Sequence, residues 1–217
     1  MEDKIACSTV IFDFDGTLAD SMPFLESIGV EVMMKYYGVS KEEATIRYRS
    51  TTGLPYEQQI KMNFPEHPIN DTAIEEFEEL KINRIFEQEL FPDAEESVKE
   101  LRKRGIDVFV SSSTFQPTIE EYFKRRRILN LFTGILGYRP GFEKGADHFN
   151  YIHSQFGVPF EQMVFVGDSL KDYERSKNFC KFIALEDMFT RDDFQNAGHA
   201  GPIVASRHEV LAHITNV

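Results

Sequence analysis

The sequence contains no tryptophan and only two cysteines in 217 residues. Cys7 and Cys180 form neither a CxxC pair nor a metal-ligand spacing, which argues against a disulfide framework and a zinc site. No stretch approaches the roughly 20 apolar residues of a membrane-spanning helix. The first ten residues, Met1–Val10, lack the apolar core of a signal peptide. We therefore expect a cytoplasmic protein without a membrane segment.

Positive charge is scarce as well. The chain has 24 Lys and Arg against 36 Asp and Glu, a net charge of −12. Such a chain repels nucleic acids and anionic membranes at long range, so neither is an expected partner. The basic run Lys124–Arg127 is interpreted as a solvated helix end. None of the six histidines lies beside a motif in the sequence, and none is assigned a catalytic role.

Apolar residues are plentiful: 41% of the chain is hydrophobic and 20 residues are phenylalanine. From Phe91 onward, short apolar runs alternate with helical patterns, which indicates an α/β fold with a doubly wound parallel sheet. Residues 20–90 instead read as consecutive helices. The sequence thus predicts a Rossmann-like core formed by residues 1–18 and 91–217, with a helical domain inserted at 19–90. The predicted strands are Ser8–Phe12, Ile106–Val110, Thr133–Leu136, Met163–Val166, Phe182–Leu185 and Ile203–Ala205.

Polar side chains follow four of these apolar runs, where ligands bind in open α/β sheets. The four clusters are Asp13 with Asp15, Ser111 with Ser112 and Ser113, Lys144, and Asp168 with Asp172. Carboxylates gathered in one cleft repel one another unless a hard cation such as Mg²⁺ joins them. Serine hydroxyls and a lysine ammonium suit the oxygens of a phosphate group. The pattern therefore predicts a phosphoryl-transfer site.

The same residues resemble the motifs of the haloacid dehalogenase-like superfamily. The run Asp13–Leu18 (DFDGTL) is similar to motif I, Ser111 to motif II, Lys144 to motif III, and Gly167–Asp172 (GDSLKD) to motif IV. The helical insert is similar to the C1 cap of phosphoglycolate phosphatase-like and β-phosphoglucomutase-like members. Glycine stands at position 145, where the family usually has proline after the motif III lysine.

The resemblance implies a two-step hydrolysis. Asp13 would attack phosphorus and form an aspartyl-phosphate. Asp15 would protonate the leaving oxygen and then activate water. Mg²⁺ would be held by Asp13, by the main-chain carbonyl of Asp15 and by Asp168, while Asp172 would support the metal or Lys144. An acid at position 15 favours phosphate esters over the substrates of dehalogenases.

The expected substrate is a small phosphorylated metabolite, and its identity stays open, as does the oligomeric state. Candidate specificity residues in the insert are Arg47, Arg49, Thr52, Gly53 and Tyr56. Three alternatives remain: a sugar phosphomutase, an inorganic pyrophosphatase, and a non-enzymatic binding module. The mutases of this family carry a His and an Arg where Leu25 and Tyr56 stand here, which favours hydrolysis.

Overall fold

A computed structural model describes residues 4–217, and these divide into two compact units. One unit consists of the chain up to Ala19 together with Leu90–Val217, and the other is Asp20–Glu89. The insert predicted at 19–90 differs from the second unit by one residue at each end. Residues 1–3 of the predicted core lie outside the described part of the chain.

The first unit, hereafter the core unit, contains a six-stranded parallel sheet with the order β4-β3-β2-β5-β6-β7. Its strands are β2 (Thr9–Phe12), β3 (Asp107–Phe115), β4 (Gly134–Tyr138), β5 (Met163–Gly167), β6 (Lys181–Leu185) and β7 (Ile203–Val204). A separate parallel pair joins β1 (Ile5–Cys7) to β8 (Ile214–Asn216). The central strands β2 and β5 are buried along their whole length, as expected of a parallel sheet that helices cover on both faces. The predicted α/β fold is confirmed.

The helices of the core unit connect these strands. They are α5 (Ala94–Lys103), α6 (Gln116–Arg125), α7 (Ala146–Phe156), α8 (Leu170–Ser176), α9 (Arg191–Asn196) and α10 (Arg207–His213). The largest difference from the sequence prediction is in β3, which continues to Phe115 instead of ending at Val110. Ser111 pairs with Leu136 of β4, and the register shifts before Phe115 pairs with Tyr138. Pairing to a neighbouring strand thus keeps a hydroxyl-rich segment extended.

The second unit, hereafter the helical unit, is built from four α-helices, α1 (Met22–Tyr37), α2 (Lys41–Ser50), α3 (Tyr56–Asn63) and α4 (Asn70–Arg84), and a short 3₁₀ helix, Ile85–Glu87. Helix α2 begins as the S-x-x-E spacing predicts, because Ser40 Oγ accepts a hydrogen bond from the amide of Glu43 at 3.2 Å. Between positions 4 and 217, no helix combines the length and the hydropathy that a membrane crossing requires.

Candidate active site

The register of the central strands brings the predicted site residues to one edge of the sheet. Phe12 of β2 is level with Val110 of β3 on one side and with Val166 of β5 on the other. The next residue, Asp13, donates its amide proton to the carbonyl of Val166 at 2.9 Å. Ser111 likewise follows Val110 within β3, so Asp13 and Ser111 lie side by side at the same level of the sheet. This is the carboxyl edge, where ligands bind in such sheets.

Three carboxylates meet at this edge. Asp13, Asp168 and Asp172 are each buried, and one oxygen from each lies within 4.8 Å of the others. The side chain of Asp15 is not part of this group, since its Oδ2 accepts a hydrogen bond from Thr114 Oγ1 at 2.8 Å. The family resemblance assigns metal binding only to the main-chain carbonyl of Asp15 and proton transfer to its side chain.

Lys144 is the cation of the cluster. Its Nζ lies 2.8 Å from Asp13 Oδ1 and 2.6 Å from Asp172 Oδ1, and its side chain is 3% exposed. Burial by itself lowers the pKa of Lys144, but Asp13 and Asp172 outweigh it and raise that pKa above its usual value. The amine is therefore a fixed positive charge beside Asp13.

Gly145 follows this lysine with φ of +114°. A proline at this position would be locked near φ −65° and could not adopt this conformation. Glycine adopts this conformation at low cost.

The site holds three carboxylates and one lysine ammonium, and this imbalance affects the pKa of the acids. Burial, and after it the neighbouring Asp172 and Asp168 charges, hold the pKa of Asp13 well above its usual range, although Lys144 opposes this. Burial and then Asp172 raise the pKa of Asp168 to about 7. When all three carboxylates ionise beside the one ammonium, two negative charges are left over, and a divalent cation would neutralise them. The all-oxygen donor set is the one that Mg²⁺ prefers, so the residues fit this metal.

Asp172 is held by the start of α8. Its Oδ2 accepts hydrogen bonds from Ser169 Oγ at 2.8 Å and from the Ser169 amide at 3.3 Å, and Ser169 in turn caps the helix. Gly167 makes room for this carboxylate, since a Cβ atom there would lie 2.7 Å from Asp172 Oδ2. The glycine of the GDSLKD run is thus required by close approach of the carboxylate.

Two threonines that the sequence left without a role orient the acidic residues. Thr17 Oγ1 donates to Asp168 Oδ1 at 2.9 Å, and Thr114 holds Asp15 as described above. Thr17 belongs to the DFDGTL run and could have been found there. Thr114 carried only a weak signal, its place in the hydroxyl-rich segment after Val110.

The two predicted phosphate-binding serines have different neighbours. Ser112 Oγ accepts a hydrogen bond from the Thr114 amide at 2.9 Å. Ser111 Oγ lies 2.8 Å from Nδ1 of His148, and both residues are fully buried. No histidine adjoins a motif in the sequence, yet α7 brings His148 to motif II. Its position four residues after Lys144, at the start of a predicted helix, was the available signal.

A further contact comes from the end of the chain. Arg207 in α10 is 6% exposed and donates to the carbonyls of Thr17 at 2.6 Å and Gly16 at 2.9 Å. Its guanidinium also lies 3.4 Å from the ring centroid of Phe91. It therefore holds the loop that follows Asp15.

The predicted specificity residues of the helical unit have partners within that unit. Arg47 binds Glu43 at 2.8 Å, and Arg49 binds Glu26 at 2.7 Å. Both are surface ion pairs. Their assignment to substrate recognition stays a prediction.

The other three candidates lie in or beside the α2–α3 connection. Thr52 Oγ1 donates to the Tyr48 carbonyl at 3.2 Å, and Gly53 has φ of +92°. Tyr56 is 3% exposed and stacks on Phe77, with 3.6 Å between ring centroids. Packing inside the helical unit accounts for Tyr56, and its role in specificity also stays a prediction.

Comparisons with known proteins identify the family and the fold. A phosphoglycolate phosphatase from Aliivibrio fischeri is 22% identical over 215 residues, which cover 94% of this chain and 91% of that protein. Another, from Pseudomonas savastanoi, is 24% identical over 77% of this chain and 65% of its own length. The structure of a haloacid dehalogenase-like family hydrolase from Streptococcus pneumoniae superimposes with a TM-score of 0.80 at 23% identity, covering 95% of this chain and 97% of that one. The haloacid dehalogenase-like hydrolase family profile matches residues 10–184, and the chain belongs to this family.

Proposed function

We propose that this chain is a Mg²⁺-dependent phosphatase that hydrolyses a small phosphate monoester through an aspartyl-phosphate on Asp13. One observation carries the proposal: the buried Asp13 carboxylate lies 2.8 Å from Lys144 Nζ and within 4.8 Å of the Asp168 and Asp172 carboxylates. Such a cluster is unfavourable without a dication to complete its charge balance.

In the first step an Asp13 oxygen attacks phosphorus and the bond from phosphorus to the ester oxygen breaks. The Lys144 ammonium offsets the repulsion between this carboxylate and the phosphate dianion. Asp15 gives its proton to the departing oxygen, which leaves as an alcohol. The hydrogen bond from Thr114 fixes the orientation of the Asp15 carboxyl for this transfer.

In the second step water attacks the phosphorus of the aspartyl-phosphate. Asp15, now ionised, takes a proton from that water, and inorganic phosphate leaves as Asp13 is regenerated. General acid–base assistance of this kind contributes about 10²–10⁴ in rate. The hydroxyls of Ser111 and Ser112 donate to phosphate oxygens in both steps.

Mg²⁺ would be held by the Asp13 and Asp168 carboxylates and the Asp15 main-chain carbonyl, and when bound it neutralises charge on the phosphate oxygens. Thr17 orients Asp168 for this role. Asp172 acts through Lys144, whose ammonium it holds at 2.6 Å.

The relatives support the substrate class. Two proteins similar to this chain are phosphoglycolate phosphatases, so a small phosphorylated metabolite is the proposed substrate. The helical unit would act as the lid that excludes water and bulky substrates.

Phosphate release from para-nitrophenyl phosphate and from a panel of metabolite phosphates tests the proposal. We expect release with Mg²⁺, none with EDTA, and none from Asp13→Asn. Asp192→Asn, an exposed aspartate of α9, is the matched control and should keep full activity. Turnover by folded Asp13→Asn would remove Asp13 as the nucleophile. Isomerisation of a sugar phosphate without release would indicate a mutase, and inertness of folded, metal-loaded protein would indicate a binding module.

A further inference from the structure

We propose that His148 is a positioning residue for the proposed phosphatase reaction, and that it presents the Ser111 hydroxyl to the substrate phosphate as a hydrogen-bond donor. The inference rests on the proposed function and extends it to a residue that none of the four motifs contains. It starts from the 2.8 Å contact between Ser111 Oγ and His148 Nδ1.

Both residues of this contact are buried in the core unit. Ser111 and His148 are both 0% exposed, so water does not compete for either atom. Ser111 lies within β3, at the level of Asp13 on the neighbouring segment. His148 lies in the first turn of α7, four residues after Lys144, whose ammonium reaches Asp13 at 2.8 Å. One helix start therefore supports both the cation beside the nucleophile and the hydroxyl of motif II.

The ring is uncharged. Burial and then the Lys144 charge lower the pKa of His148 to about 3, against a weaker opposing effect of the Gly137 backbone. A neutral imidazole carries one N–H, on either Nδ1 or Nε2. At this site the ring therefore sets whether Ser111 Oγ donates or accepts in the hydrogen bond between them.

Whether Ser111 can donate to phosphate depends on which partner, His148 Nδ1 or Ser111 Oγ, supplies the proton of their shared hydrogen bond. If Nδ1 accepts the Ser111 proton, the lone pairs of Oγ face the phosphate oxygens and repel them. If Nδ1–H donates to Oγ, the Ser111 proton is available to a phosphate oxygen. Nε2 is buried and makes no hydrogen bond of normal geometry, so the Gly137 backbone holds an N–H at that nitrogen only weakly. A bound phosphate dianion therefore favours the Nδ1–H form.

Substitutions at His148 separate the hydrogen bond from the packing. In His148→Asn the amide nitrogen takes the place of Nδ1 and keeps a donor, whereas His148→Leu removes it. We expect His148→Leu to weaken inorganic phosphate binding and lower kcat/KM by about tenfold to a hundredfold, because the Ser111 hydroxyl is then no longer oriented for its hydrogen bond to the charged phosphate. His148→Asn should recover most of both.

His199→Leu is the matched control. His199 is also buried, its Nε2 lies 3.1 Å from the Pro202 carbonyl, and its ring packs against Phe182. This variant should lose stability while inorganic phosphate binds with unchanged affinity. Equal weakening of phosphate binding by His199→Leu and His148→Leu would overturn the inference.

A double-mutant cycle with Ser111→Ala tests the pathway of the effect. If His148 acts through Ser111, His148→Leu costs little further activity or phosphate affinity in the Ser111→Ala background. The same fold-loss in both backgrounds would contradict the proposal, as would a His148→Asn variant no better than His148→Leu.

The wild-type protein supplies a test that does not depend on the variants folding. In protein with ¹⁵N-labelled histidine, the imidazole nitrogen shifts distinguish the two tautomers. Inorganic phosphate with Mg²⁺ should move His148 to the Nδ1–H form, and a ring that stays Nε2–H would refute the inference. Neither this measurement nor phosphate binding requires turnover. Wild-type protein that hydrolyses no ester refutes the proposed function, whereas active protein with an additive cycle refutes only the role of His148.

Discussion

Replacement of Arg207 by methionine is expected to destabilise the core unit through the loop that carries Asp15. The guanidinium is buried and donates to the carbonyls of Gly16 and Thr17. Methionine matches much of the side-chain length and keeps an apolar contact with Phe91, but it offers no donor. Both carbonyls then lose a charged partner in a place that solvent barely reaches.

The size of the effect follows from these two hydrogen bonds. A hydrogen bond from a charged donor contributes about 1.5–3 kcal/mol net. We take the lower end for each bond, because methionine avoids the cost of burying a guanidinium. The expected loss is about 3 kcal/mol. For a chain of this size that corresponds to a fall in Tm of about 6–12 °C.

Scanning calorimetry of the wild type and three variants measures this loss. Arg207→Met should show the full decrease. Arg207→Lys, which keeps the charge and a single donor head, should show about half of it. Arg125→Met is the control, since Arg125 is a surface residue paired with Glu121 and such pairs contribute little to stability. An Arg207→Met transition within about 1 °C of wild type would refute the reasoning.

Three further predictions concern the site itself. Burial raises the folded-state pKa of Asp168 to about 7, above its unfolded value of 3.8. In metal-free protein, protonated Asp168 therefore stabilises the folded state fully below pH 3.8, and this stabilisation is lost as the pH rises through about 7. Mg²⁺ should therefore raise Tm relative to EDTA more at pH 8 than at pH 5, and Asp168→Asn should abolish that difference. Gly145→Ala should cost about 1–3 kcal/mol in urea unfolding, because φ of +114° is strained for any side chain, and an unchanged midpoint would contradict this. Thr114→Val should lower kcat about fivefold with little change in KM, since Asp15 loses one orienting hydrogen bond; an unaffected kcat would exclude that role.

The sequence was sufficient to locate the sheet and the acidic residues of the site. Buried parallel strands read as short apolar runs, and the polar residues that follow them lie at one edge of the sheet. This reasoning placed Asp13, Lys144, Asp168 and Asp172 together, and the structure has them in contact or within 4.8 Å. Local spacing was equally informative for Ser40, whose capping role depends on a residue three positions away.

Local patterns could not reveal contacts between distant parts of the chain. Thr114 reaches Asp15 across 99 positions, His148 reaches Ser111 across 37, and Arg207 reaches Thr17 across 190. Apolar periodicity and capping motifs report on a few neighbouring residues. These hydrogen bonds depend instead on how strand β3 pairs and where helices α7 and α10 pack. The sequence by itself determined which segments form the strands and which polar residues follow them, because both depend on neighbouring residues, and only the tertiary structure decided the order of the strands in the sheet and the side chains that orient the site.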